Sequence, residues 1–168
     1  EISAHGVKWI SHAYLSKEEE KKIINDCYSS ISKLSGHPPV GWHTKSSTSP
    51  FTRDLLIEHG GFTYDSNAYN DDIPYVVKKN DHKLVIIPYS FDTNDMRFDG
   101  NNGFVQGDDF NIYCKESFNQ ILKETDDGSS RMMSVGLHPR IIGRPGRIKG
   151  LEDFIKYIKT YENVWIPK

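Results

Sequence analysis

Five stretches of the sequence end in side chains able to titrate, donate or carry charge. Ile2-Ser3-Ala4 runs into His5, and Val40-Gly41-Trp42 runs into His43. Phe62-Thr63-Tyr64 leads to Asp65, with Tyr69, Asn70, Asp71 and Asp72 close behind. Leu84-Val85-Ile86-Ile87 leads to Tyr89, Asp92, Asn94, Asp95 and Arg97. Met132 to Leu137 ends at His138, followed by Arg140, Arg144 and Arg147. Imidazole titrates near neutral pH, so His138 is a candidate general acid or base. The competing reading is a hydrogen-bonded structural histidine ahead of Pro139. Asp71 and Asp72 could hold a polar substrate, or one could act as a base, against a role as solvated turn residues. Arg144 and Arg147 could pair with surface carboxylates, Arg147 the more so. Trp42 fits a core better than a substrate platform. His12, His37, His59 and His82 lie in helical or loop surroundings and read as surface residues.

Some chemistries find little support. A catalytic zinc needs three protein ligands, and histidines four apart are a favourable pair. Four residues after His5 stands Trp9, and His12 is seven away. A nucleophile elbow and a phosphate-binding glycine loop are both missing, and Gly143-Arg144-Pro145-Gly146 reads as a turn. Cys27 and Cys114 lie within helical patterns, which suits two buried free thiols and a reducing, cytoplasmic compartment. A formal charge of −2 without a basic stripe argues against nucleic acid as a partner. No apolar run approaches the roughly 18 residues of a membrane span.

The elements that must position these residues alternate between two periods. Ser16 and Glu19 form a capping box ahead of Ile23, Ile24, Cys27, Ile31 and Leu34, and Gly36 is the stop. Ser49-Pro50 reads as an N-cap with proline in the first turn, and the second helix runs from Phe51 to its end at Gly60-Gly61. Asp108 or Asp109 can cap a third, with Phe110, Tyr113, Cys114, Phe118, Ile121 and Leu122 on one side. Ile148, Leu151, Phe154, Ile155 and Ile158 mark a last one. Between them lie strand candidates near Ala4, Trp42, Phe62–Tyr64, Leu84–Ile87, Met132–Leu137 and Asn163–Ile166. Strands alternating with helices imply βαβ units and a mostly parallel sheet, curled toward a barrel. In such a barrel chemistry gathers at the strands' C-terminal ends, where the five polar clusters fall. The reading is one domain over residues 1–168, its first strand truncated.

The residues of these clusters resemble the polysaccharide deacetylase (NodB homology) superfamily, in the branch of the cofactor-independent bacterial-type allantoinase. The stretches that carry the resemblance are residues 1–10, Gly41-Trp42-His43-Thr44 with Ser49-Pro50-Phe51-Thr52-Arg53, and Gly60–Ser66 running into Tyr69-Asn70-Asp71-Asp72-Ile73-Pro74-Tyr75. To these are added Pro88-Tyr89 with residues 92–98, and Ser134–Arg140 with Gly143–Arg147. The resemblance implies an α/β fold, a deformed (β/α) barrel, here lacking its N-terminal strands and their carboxylate. His5 falls on the first histidine of the family's metal pair and Trp9 on the second, as in the allantoinase-like branch. The implied activity is hydrolysis of a small cyclic amide, allantoin to allantoate, in purine catabolism. His5, Asp72 and His138 are the candidate catalytic residues: His138 would protonate the departing nitrogen, and a base from upstream, or Asp71 or Asp72, would activate water. Trp9, Trp42, Tyr69, Asp71, Asn94, Arg97 and Arg144 are the candidate substrate contacts. No cofactor is expected, and a homo-oligomer is. One alternative is a polysaccharide N-deacetylase with zinc or another divalent metal held partly by His5. Another is an inactive ligand-binding barrel.

Overall fold

The computed structural model describes residues 1–101 and 103–167 and divides into two compact units, Glu1–Tyr89 and Ser90–Lys168.

The first unit is an α/β layer. Strands β1 (Ser3–Ala4), β2 (Gly41–Trp42), β3 (Tyr64–Asp65), β4 (Tyr75–Lys79) and β5 (His82–Ile86) form one sheet in the order β1-β2-β3-β5-β4. All pairs are parallel except β4 with β5. The exception is a hairpin that the sequence reading does not anticipate. It turns at Asn80, whose φ of 53° is the left-handed conformation that asparagine tolerates. Helix α1 (Lys17–Ser35) begins in the expected capping box of Ser16 and Glu19 and ends at Gly36 with φ 75°. Helix α2 (Thr52–His59) starts one residue after the expected Phe51, and Ser49 Oγ accepts the Phe51 N–H in the turn ahead of it. The two helices cover a core of Ile24, Cys27, Trp42, Leu55, Leu56, Phe62, Leu84 and Ile86.

Gly41 lets the Tyr64 ring lie against the backbone: a Cβ there would stand 2.0 Å from that ring and displace it. The loop between β1 and α1 is anchored from beneath. His12 is buried, contrary to its reading as a surface residue, and its Nδ1 pairs with Glu20 Oε1 at 2.9 Å. Glu20 also accepts from Ser49 Oγ and, at 2.5 Å, from Thr52 Oγ1. Burial raises the Glu20 carboxyl, and the bonds from His12, Ser49 and Thr52 outweigh it, leaving the pKa lowered.

The second unit is mainly helical. A 3₁₀ turn, α3 (Asp95–Asp99), precedes α4 (Gly107–Lys123), the short α5 (Pro139–Ile142) and α6 (Pro145–Ile158). The cap of α4 is Gln106 rather than Asp108 or Asp109, and Asp109 closes the box from inside the helix. Phe98, Phe104, Phe110, Cys114, Phe118, Ile141, Ile142 and Phe154 form the core. Helices α4 and α6 touch at two glycines, where a Cβ on Gly150 would meet the Gly107 carbonyl at 2.0 Å. Met132–Leu137 forms no strand beyond a single parallel bridge of Gly136 to Asn94, and Asn163–Ile166 is not a strand. Both runs are apolar enough for a sheet, but apolar runs of this length do not specify ladder partners.

Candidate active site

Parallel pairing carries the residues that follow β1, β2, β3 and β5 to one edge of the first unit's sheet. His5 there is held at both ring nitrogens. Its Nδ1 donates to the His43 carbonyl, and its Nε2 accepts from the Trp9 indole N–H at 3.0 Å. The contacts fix the tautomer with hydrogen on Nδ1, and the Nε2 lone pair is taken. Trp9 is 55% exposed and carries the Lys45 ammonium over its ring at 5.2 Å.

The His43 ring stacks on His5 at 5.4 Å and lies 4.8 Å from Tyr89, whose ring meets Tyr69 edge-on at 6.0 Å. His43 Nδ1 contacts the Ser66 carbonyl at 2.6 Å. Burial pushes the His43 pKa below the ordinary histidine value, the Ser66 contact opposes this, and His5 acts in the same direction as burial. Tyr69 is half-exposed, and burial with Tyr89 nearby raises its pKa.

Asp65 is buried beneath this edge. Its Oδ2 accepts from Arg53 Nε at 3.1 Å, and its Oδ1 from the Asn67 backbone and amide at 2.9 and 2.5 Å. Asn67 Oδ1 in turn holds the Thr44 N–H at 2.7 Å, so the carboxylate braces the loops after β2 and β3. Asp71 Oδ1 accepts from the N–H groups of Asp72 and Ile73 at 2.8 and 3.2 Å. That is a turn of its own making. Asp72 is exposed and keeps its carboxylate out of that turn. Trp42 corrects its place among the substrate contacts. It is fully buried, with its N–H on Thr44 Oγ1 at 2.8 Å, so no ring face is open to a ligand.

The second unit centres on a pair that the sequence separates by 43 positions. Asp95 is fully buried, and its Oδ1 lies 2.6 Å from His138 Nδ1. Its Oδ2 accepts the backbone N–H groups of His138 at 2.6 Å and Ile142 at 3.2 Å. The carboxylate thus caps α5 and fixes the imidazole at once, leaving Nε2 as the working nitrogen of a 24% exposed side chain. Asn94 Oδ1 caps the 3₁₀ turn through the Met96 N–H at 2.7 Å. The Arg97 guanidinium lies over the Phe104 and Tyr113 rings at 4.6 and 4.3 Å and donates to the Asp92 carbonyl at 2.9 Å. Arg144 is exposed at the start of α6. The role of Asp95 has no local signal, since only the fold brings it to His138. The same is true of His12 and Glu20.

No family model matches the chain. A Schizosaccharomyces pombe protein named as a polysaccharide deacetylase is 34% identical over 182 residues, spanning 99% of this chain and 57% of its own length. The crystal structure of a protein from Pseudomonas aeruginosa PAO1, also named as a polysaccharide deacetylase, matches with TM-score 0.92 and 40% identity over all of this chain and 56% of that one. The crystal structure of PuuE allantoinase matches with TM-score 0.92, 40% identity and the same coverages. The chain thus spans a little over half the length of the relatives it matches.

The chain belongs to the polysaccharide deacetylase superfamily. Its likeness to PuuE allantoinase supports the branch whose motifs the five stretches resemble.

Among the described residues, no group of three His, Cys, Asp or Glu side chains is placed to hold a metal ion. His5, the residue nearest to such a role, has its Nε2 on Trp9. Among the described residues, no helix is long and apolar enough to cross a membrane.

Proposed function

We propose that the protein is a hydrolase of non-peptide C–N bonds that opens the ring of a small cyclic amide, converting allantoin to allantoate. The observation that carries this choice is the Trp9 indole N–H on His5 Nε2. In a metal-dependent deacetylase that nitrogen would be a ligand, and here it is already an acceptor. The Asp95–His138 pair supports hydrolysis as such, since a buried carboxylate orients a partly exposed imidazole. Water attacks the ring carbonyl and forms the C–O bond, and a carboxylate base takes its proton. The C–N bond then breaks as His138, carrying a proton on Nε2 in addition to the Nδ1–H held by Asp95, passes the Nε2 proton to the departing nitrogen. In the first unit, Tyr69 and Trp9 offer a hydroxyl and a ring face to a polar planar substrate. The reading includes a metal-free reaction and a homo-oligomeric assembly.

The test is ring opening by the intact protein with chelator present. Steady formation of allantoate is the expected result, and loss of turnover on chelation overturns the metal-free reading. His138→Ala is expected to lower kcat by about 100-fold or more. The second reading, N-deacetylation of a polysaccharide, is favoured by the names of the S. pombe and P. aeruginosa relatives. It predicts bound zinc and turnover of acetylated sugar oligomers.

A further inference from the structure

We infer that His43 is a substrate contact, a fixed hydrogen-bond acceptor whose exposed Nε2 receives a ring N–H. The inference rests on the cyclic-amide reading and names the part of the substrate that this edge of the sheet selects. A carbonyl oxygen can only accept, so the 2.6 Å contact to Ser66 places the hydrogen on His43 Nδ1. Nε2 is then a bare lone pair. Among the described residues it makes no hydrogen bond, yet it is not one of the buried side-chain atoms left without a partner, which are His12 Nε2 and Asn111 Oδ1. It therefore reaches solvent from a half-buried ring.

The ring itself cannot turn freely. It is stacked on His5 at 5.4 Å, lies 4.8 Å from Tyr89, and follows β2 at the edge where His5 and Trp9 stand. Burial favours its uncharged form. A rigid acceptor beside aromatic rings suits a small planar molecule rich in N–H groups, such as a ureide. An acetylated sugar has one amide N–H per ring and many hydroxyls, which can donate to any acceptor.

Two measurements test this. Long-range 1H–15N spectra of the intact protein at neutral pH should show the His43 ring protonated on Nδ1 alone; an Nε2–H tautomer overturns the proposal. In the second, His43→Phe keeps a ring between His5 and Tyr89 but removes the acceptor, while His43→Gln restores an acceptor. The His5 bond to the residue 43 carbonyl survives in both. His43→Phe is expected to raise KM for allantoin about tenfold, as one lost hydrogen bond implies, with kcat falling less than threefold. His43→Gln should recover part of that loss. A His43→Phe KM within twofold of wild type overturns the inference. If the wild-type protein opens no allantoin, the cyclic-amide reading fails first. The same KM comparison is then made on acetylated sugar oligomers, where an unchanged value again overturns the role of His43.

Discussion

At the scale of single residues, a buried carboxylate gathers polar partners in each unit, Asp95 in the second and Glu20 in the first. Asp95 serves three donors at once, so Asp95→Asn keeps the shape but puts an amide where two acceptor oxygens stood. That change is expected to lower kcat by about 100-fold or more, through the wrong imidazole tautomer, with KM little moved. Glu20 holds His12, Ser49 and Thr52 together away from water. Glu20→Ala leaves three polar groups unmatched and is expected to cost about 3–5 kcal/mol, read as a shift of the denaturation midpoint. Because the folded-state pKa of Glu20 is lowered, its contribution is fully present above the unfolded value of 4.5 and is lost as pH falls through the folded one. Wild type should therefore lose stability between pH 4.5 and more acidic values more steeply than Glu20→Gln. Sequence alone places His5, His43 and Asp65 at strand ends, but it is blind to partners, and the strand expected before His138 is only a single bridge. His12 and Glu20, eight residues apart, and Asp95 and His138, far further apart, are joined only by tertiary folding. Trp42 shows the opposite failure: a tryptophan beside a functional rim carries no mark of which way it faces.

At the scale of elements, helices are the legible part. α1, α4 and α6 announce themselves through apolar stripes, and the Ser16–Glu19 box fixes one boundary without help from the fold. Ser16→Ala is expected to cost about 1 kcal/mol in thermal or denaturant unfolding. Strands are legible by content and poorly by partner. Leu84–Ile86 is recognisable as buried, yet the β4–β5 hairpin is missed because Lys78, Lys79 and Asn80 carry too little apolar alternation to mark a ladder. Glycines at element contacts are silent in sequence and decisive in structure. Gly150→Ala would drive a methyl group into the Gly107 carbonyl and push α4 from α6. The expected cost is about 1–3 kcal/mol, and a Gly150→Ala protein as stable as wild type would show that the two helices slide freely.

At the scale of the whole molecule, composition and order of motifs suffice for class. Five polar clusters on alternating elements point to an α/β catalytic fold, and the parallel order of β1, β2, β3 and β5 agrees. What composition does not reveal is that the chain gathers into two compact units, each around its own apolar core. One free cysteine lies in each core: Cys27 among Ile24, Trp42 and Leu56, and Cys114 among Phe104, Phe110 and Phe118. Burial raises both thiols, Cys114 to about 12 against the opposing pull of Arg97. Neither sulfur can react while its unit is closed, because both access and the thiolate are withheld. The two cores are thereby fitted with separate chemical clocks. A pulse of alkylating reagent, followed by counting the tags on the peptides bearing residues 27 and 114, times the opening of each unit in one tube. Equal labelling rates would mean that the chain opens as one cooperative body, and unequal rates would rank the two.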